Sequence, residues 1–388
     1  MRFLFVSDFV EEPDSGAAGS LLAIGEALRQ GGNSVDYIWR GDQSNRIKHP
    51  RLDQMLELPK RQYEQVARQL NQADYDVVIV SQPYAYQVYE RLISRHPNTL
   101  FLNRTHGWEE RGYEAEQRFN WRRDSGPAGT LLRTMSRIFT RRACRRTARS
   151  AAGIISPSSP CARFIVDRYD LPATRVAVIP YGLDAGFREM PLRQPIDRAE
   201  MRMLFAGQYL PRKGTRLLES LLPRIARDYP NALMTFVVPS ESMELVNSIY
   251  RGAFETRLRV LEWVPRGQLR DIYLEHDLFL FPSLFEGFGK VCLEAMALGL
   301  CVIGYDEGGL SDLTTSGREA LFCAPGSEAA YAEFIDAVLR NPAWARDIGI
   351  RAQRLARNRT WARTAEETEN FCARLITFRR TGGEHAVV

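Results

Sequence analysis

Two parallel α/β domains in tandem are the fold class this sequence predicts, on three observations. Short apolar runs alternate with stretches of helical periodicity along the chain, the pattern of parallel sheets covered by helices. The alternation lapses between residues 182 and 199, where Pro191, Pro195 and other turn formers stand, and then restarts. A length of 388 residues with 45% apolar and 26% charged content suits two or three domains, each with its own core.

In the first half, strands are predicted at 3–7, 35–39, 77–81, 99–103, 153–156 and 176–180, with helices at 20–30, 61–72 and 85–95 between them. The second half gives strands at 203–206, 233–238, 258–262, 278–281 and 301–304, with helices at 216–229, 266–275 and 290–298. Helical patterns at 328–340, 343–358 and 361–378 follow, and the residues from 381 to 388 read as a flexible tail. The expected division is a first domain over 1–185, a linker over 186–200, a second domain over 201–362 and a separate helix over 363–380.

No run of eighteen apolar residues exists, so no membrane-spanning helix is expected. The start, Met1 to Asp8, is interrupted too soon by Asp8 for a signal peptide and reads as a buried strand. Cys144, Cys161, Cys292, Cys301, Cys323 and Cys372 show no CxxC pairing or metal-like spacing, which predicts reduced core thiols and a cytoplasmic protein.

The richest stretch runs from Ser283 to Gly299, Ser-Leu-Phe-Glu-Gly-Phe-Gly-Lys-Val-Cys-Leu-Glu-Ala-Met-Ala-Leu-Gly. It sets Glu286 and Glu294 around a turn where the apolar strand ending at Phe281 becomes a helix. Gly287 and Gly289 allow close backbone approach to a ligand. The first N–H groups of the helix, at its positive dipole end, favour an anion. A phosphate site flanked by two carboxylates that can grip sugar hydroxyls suggests a sugar nucleotide.

This segment resembles the glutamate–seven residues–glutamate signature of the retaining glycosyltransferases of group 1, or family 4. The resemblance implies the GT-B architecture, two Rossmann-like domains facing across a cleft, with the last helix crossing back to brace the first domain. It also implies that Glu286 contacts the donor sugar. The backbone of Phe288, Gly289 and Lys290 would then contact the diphosphate, and Glu294 the ribose hydroxyls.

In open α/β sheets ligands bind beyond the carboxyl ends of the strands, and that rule sorts the remaining motifs. Gly207 ends a strand and is followed by Arg212 and Lys213, two cations suited to the charge developing on a diphosphate leaving group. They resemble the family's Arg–Lys pair, although such a dipeptide alone is usually just solvated. His106 and Gly107 also follow a strand, and the resemblance makes His106 a sugar contact, while Trp108, Glu109, Glu110 and Arg111 suggest an acceptor lining. The loop from Ser15 to Ser20 matches the family's glycine loop with Gly16 as the donor contact, interrupted by Ala17 and Ala18. Gly308 and Gly309 read equally as a pocket-shaping loop or a plain turn, and Tyr181 replaces a usual asparagine with no derivable consequence. Asp74-Tyr75-Asp76 fits a metal-binding DxD pattern but precedes its strand, at the wrong end of the sheet, so a structural role is expected.

Net charge is +5, unevenly placed: between Arg118 and Arg149 lie ten arginines and one acidic residue, Asp124. Arg133, Arg137, Arg141 and Arg145 recur every four residues, with Leu131, Leu132, Met135, Ile138 and Phe139 on another helical face. Two readings stand: a docked helix with a solvated charged face, or a peripheral contact with anionic lipid at the inner membrane face. Nucleic acid is not expected, because no aromatic residues interleave with these arginines.

The resulting expectation is a metal-independent, cofactor-free transfer of a sugar from a nucleotide-diphosphate sugar to a hydroxyl acceptor, in cell-surface polysaccharide or glycolipid synthesis. The family implies retention by front-face attack, the departing phosphate oxygen taking the acceptor's proton. His106, Glu286, Arg212 and Lys213 are the candidate catalytic residues. Alternatives are a nucleotide-sugar epimerase on the same fold, a non-catalytic binding subunit, and a glycosidase, which would not need the cationic pair.

Overall fold

In the computed structural model, which describes residues 1–40, 47–120, 126–194 and 200–381, the apolar runs become strands buried on both faces. The predicted tail beyond Thr381, Pro195 of the linker, and Arg122 and Arg123 lie outside the described residues. The chain divides into one unit of Met1–Arg118, Arg122–Gly182 and Trp361–Val388, and a second of Phe119–Trp121 and Leu183–Thr360.

The first unit holds β1 (Arg2–Val6), β2 (Ser34–Ile38), β3 (Val77–Ser81), β4 (Leu100–Arg104), β5 (Gly153–Ser156) and β6 (Val176–Val178). They form one parallel sheet in the order β2-β1-β3-β4-β5-β6, with Val6 level with Ile38 on one side and Val80 on the other. Alternation along each strand serves both faces. Phe3, Phe5, Leu100 and Leu102 pack with Ile24, Leu28, Phe371 and Leu375, while Leu4, Val6, Val78 and Phe101 pack with Val66, Val88 and Leu92. Phe371 and Leu375 come from the closing helix Trp361–Arg380, which therefore completes the first unit's core. Each such side chain contributes roughly 1.5–3 kcal/mol by leaving water.

The second unit repeats the plan with β7 (Met201–Ala206), β8 (Ala232–Val238), β9 (Leu258–Glu262), β10 (Leu278–Phe281), β11 (Cys301–Tyr305) and β12 (Leu321–Cys323). Its parallel order is β12-β11-β10-β7-β8-β9, and Phe279 of β10 pairs with Leu204 on one side and Val302 on the other. Met203, Phe205, Met234, Phe236 and Leu278 pack against Leu218, Leu222 and Tyr250 in its core.

Strands fall within a few residues of their predicted positions, but several features differ. The first helix starts at Gly16 rather than residue 20, because Ser15 caps it by accepting the Ala18 N–H at 3.0 Å. Helix Ser240–Phe254 and the three-residue strand β12 are additions. Within the expected linker, Ala185–Arg188 forms a helical turn. The closing helix begins at Trp361, as its periodicity predicted, and runs to Arg380. All six cysteines are free thiols, and among the described residues no helix is long and apolar enough to cross a membrane.

Candidate functional site

In the second sheet, strand order runs outward from β7 in both directions, so β7 and β10 flank the point where it reverses. A crevice opens beyond the carboxyl ends of two such strands. The loops leaving them touch there: the Leu284 N–H donates to the Arg212 carbonyl at 2.9 Å. Gly214 makes this contact possible. Its φ is +75°, and a Cβ would stand 1.9 Å from the Pro282 carbonyl oxygen, so no other residue fits unstrained. Lys213 Nζ consequently meets Glu286 Oε1, with the two side chains 17% and 13% exposed. Arg212 diverges from its neighbour, and its Nη2 donates to Gln208 Oε1 at 2.5 Å. Gly207 ends β7 with its N–H on the Val237 carbonyl at 3.0 Å and open space where a Cβ would stand.

Beyond Glu286 the chain turns through buried Gly287 and Phe288, whose carbonyl accepts the Gly309 N–H at 2.8 Å. Gly308 and Gly309 thus clasp the turn as well as closing their own loop. Gly289, at φ +88°, caps the helix Lys290–Ala297 and lets the chain reverse into it. Glu294 lies one turn in, 3% exposed, with Arg266 Nη2 3.3 Å from its Oε1. Arg266 Nη1 also donates to Asp184 Oδ2 at 2.5 Å, and Lys290 Nζ stands 3.5 Å from the same oxygen. Burial raises the Glu294 carboxyl pKa against the pull of Lys290 and Arg266, and burial lowers that of Lys290. Sequence reasoning missed Arg266 and Asp184. Arg266 does open a helix after β9, a position the carboxyl-end rule covers, whereas the pairing of Asp184 is purely tertiary.

In the first unit, His106 follows β4 and its Nδ1 lies 2.6 Å from the Tyr181 hydroxyl, with the Phe9 ring edge-on at 5.6 Å. This is the consequence of Tyr181 that the sequence did not disclose. Burial, then the nearby Arg104 charge, push the imidazole pKa down to about 3. Arg104 is itself 1% exposed with its guanidinium 5.5 Å from the Tyr181 ring centre. Asp8, just past β1, is a further missed residue: burial raises its carboxyl pKa to about 7, and Glu109 is raised as well, by burial and then by Asp8. Gly16 opens its helix with nothing within 4 Å of a Cβ position.

Two suggested acceptor residues are instead structural. Trp108 is fully buried with its indole N–H on the Tyr169 hydroxyl at 2.8 Å, and Glu110, 2% exposed, accepts from that hydroxyl at 2.6 Å. Asp76 accepts the Arg2 backbone N–H at 2.7 Å where β1 begins, at the sheet's amino end.

Residues 188–355 match the family model for glycosyl transferases group 1, and residues 15–187 match that for glycosyltransferase family 4. Taken together the two matches run without a gap, and the chain belongs to the group 1 glycosyltransferases. It is 31% identical over 233 residues to D-inositol 3-phosphate glycosyltransferase of Nocardia farcinica, covering 56% of this chain and 51% of that protein. Glycogen synthase of Mycobacterium tuberculosis is 26% identical over 222 residues, 57% of this chain and 53% of the synthase. The match thus spans about half the length of these relatives.

Among solved structures, sucrose-phosphate synthase from Thermosynechococcus elongatus superposes with a TM-score of 0.73 at 19% identity, over 97% of this chain and 100% of that one. Anabaena HepE in complex with UDP-glucose gives 0.67 at 18%, over 96% and 100%. These likenesses concern the fold, two parallel-sheet α/β domains of the GT-B type.

Proposed function

We propose that this chain transfers a glycosyl group from a nucleoside-diphosphate sugar to a hydroxyl acceptor, with retention at the anomeric carbon and without a metal ion. The carrying observation is the meeting of Lys213 and Glu286 where the strand order of the second sheet reverses, with buried Glu294 one turn into the adjoining helix. That set combines what a sugar nucleotide presents: hydroxyls at both ends and a dianionic bridge between them. HepE, whose structure holds UDP-glucose, supports the donor class by analogy of fold.

In this reading Glu294, held by Arg266, accepts hydrogen bonds from ribose hydroxyls, and the first amides of the Lys290–Ala297 helix receive the diphosphate. Glu286 accepts from the sugar hydroxyls. As the bond from the anomeric carbon to the phosphate oxygen breaks, Lys213 and Arg212 stabilise the charge gathering on the departing diphosphate. The acceptor oxygen bonds to the same face of that carbon and its proton passes to the phosphate oxygen released. The Tyr181 hydroxyl and His106 Nδ1 share a hydrogen bond; in the tautomer where the hydroxyl donates, the neutral imidazole carries its proton on Nε2 and can donate it to the sugar. The acceptor belongs, on family usage, to cell-surface polysaccharide or glycolipid synthesis.

Thermal-shift measurements against uridine, guanosine and adenosine diphosphates and their sugars test the donor site. One base should raise the melting temperature, and Glu294→Ala should reduce the rise at the same ligand concentration. The reading fails if none shifts it, or if the shift survives Glu294→Ala undiminished. Conversion of the bound donor without any acceptor would instead indicate an epimerase.

A further inference from the structure

The helix Gly126–Ser150 keeps a solvated arginine face over its second half, but its first half packs the opposite way. Arg133 and Arg137 turn inward onto Glu116, at 3.5 and 2.8 Å, while Leu131, Met135 and Ile138 stand 63%, 51% and 49% exposed. These three continue, at helical spacing, into exposed Arg142, Arg145 and Arg149. At 3.6 residues per turn the six fall within an arc of about 80° along about 27 Å of helix. The opposite side, with Ser136, Thr140, Ala143, Cys144, Thr147 and Ala148, is buried.

The charges along this stripe are uncommitted. Arg146 is paired with Glu90, and Arg141 and Arg168 with Glu110, but Arg142, Arg145 and Arg149 make no ion pair among the described residues. They border a groove of about 560 Å³ whose other wall carries Arg168, so five guanidiniums there face two carboxylates, Glu110 and Asp170. Glu110 is already held by Arg168 and Tyr169.

We propose that this outward helix face docks the protein on an anionic lipid surface, Leu131, Met135 and Ile138 entering the headgroup layer and Arg142, Arg145 and Arg149 meeting lipid phosphates. A soluble anion would satisfy the arginines but leave the apolar trio in water. A second copy would set arginine against arginine if the helices ran parallel, and apolar against cationic ends if antiparallel. A bilayer interface accommodates both halves of the stripe at once. This docking uses none of the proposed donor-site residues, and Lys213, Glu286 and Glu294 lie in the other unit.

Cosedimentation of the full chain with neutral phosphatidylcholine vesicles, and with vesicles containing phosphatidylglycerol, tests it. Binding should require the anionic lipid and weaken with salt. Replacing Arg142, Arg145 and Arg149 by glutamine should weaken it about five-fold per arginine, on the order of a hundred-fold together, and lysines at the same positions should retain it. Replacing Leu131, Met135 and Ile138 by serine should cost roughly ten-fold or more with the charge unchanged. Circular dichroism of each variant reports that the helix remains. Equal binding to neutral vesicles, no binding at low salt, or undiminished binding by either triple variant would overturn the proposal. So would a dimer in solution that the serine variant dissolves.

Discussion

Replacing Gly214 by alanine is the sharpest perturbation of the donor site, because it adds one carbon where two loops already touch. The new Cβ would stand 1.9 Å from the Pro282 carbonyl oxygen and 2.6 Å from the Pro282 Cβ, where real contacts stay beyond 3.0 Å. The neighbour is backbone, so one loop must retreat by about 1 Å, an overpacking cost of about 1–3 kcal/mol. Holding alanine at φ +75° adds about 1 kcal/mol, for a total loss of about 2–4 kcal/mol. Urea unfolding measures this as a lower midpoint at unchanged slope. The same retreat carries Lys213 away from Glu286, and a shift of about 1 Å at a reacting centre lowers kcat by about a hundred-fold. A stability change below about 0.5 kcal/mol, as for an ordinary surface site, together with normal turnover would refute the argument.

Glu294→Ala should weaken nucleoside diphosphate binding by about 2 kcal/mol, roughly thirty-fold by calorimetry, as hydrogen bonds to a charged acceptor are lost. Lys213→Ala should leave that affinity nearly intact while kcat falls by about 10²–10³, the loss typical of one donor to a developing anion; equal losses in both would contradict its role. Tyr181→Phe removes the 2.6 Å contact to His106 and should lower kcat by about ten-fold with the fold preserved, as circular dichroism and steady-state rates would show. Asp8 gives the pH dependence. Its folded pKa, about 7, lies above the ordinary 3.8, so the native state binds the extra proton and stability falls as pH rises across that window. The full effect is about 4 kcal/mol, and Asp8→Asn should flatten the decline in unfolding measurements at pH 5 and pH 8; an unchanged slope would discount it.

Much of the fold was legible because parallel strands buried on two faces leave continuous apolar runs, as at Val77–Ser81 and Leu278–Phe281. The candidate donor residues were legible for a related reason: Lys213, Glu286 and Glu294 follow strand ends, where the topology gathers ligand contacts. What sequence could not supply were pairings made only by folding. Nothing local joins Asp184 to Arg266, 82 positions on, or Tyr181 to His106. Strand β12 has three residues, too few for a periodicity to register. Arg133 and Arg137 look solvated in isolation and turn inward because Glu116 waits on the preceding helix, Glu109–Arg118.

The closing helix Trp361–Arg380 sets an order of events during synthesis. The second unit leaves the ribosome almost wholly as the continuous stretch Leu183–Thr360, and all six of its strands are out before Phe371, Cys372 and Leu375 have been translated. Until those residues emerge, the nascent amino-terminal sheet has a bare flank around Leu100 and Leu102. That unit, though begun first, must be finished last, and a stalled chain is most vulnerable to aggregation in that interval.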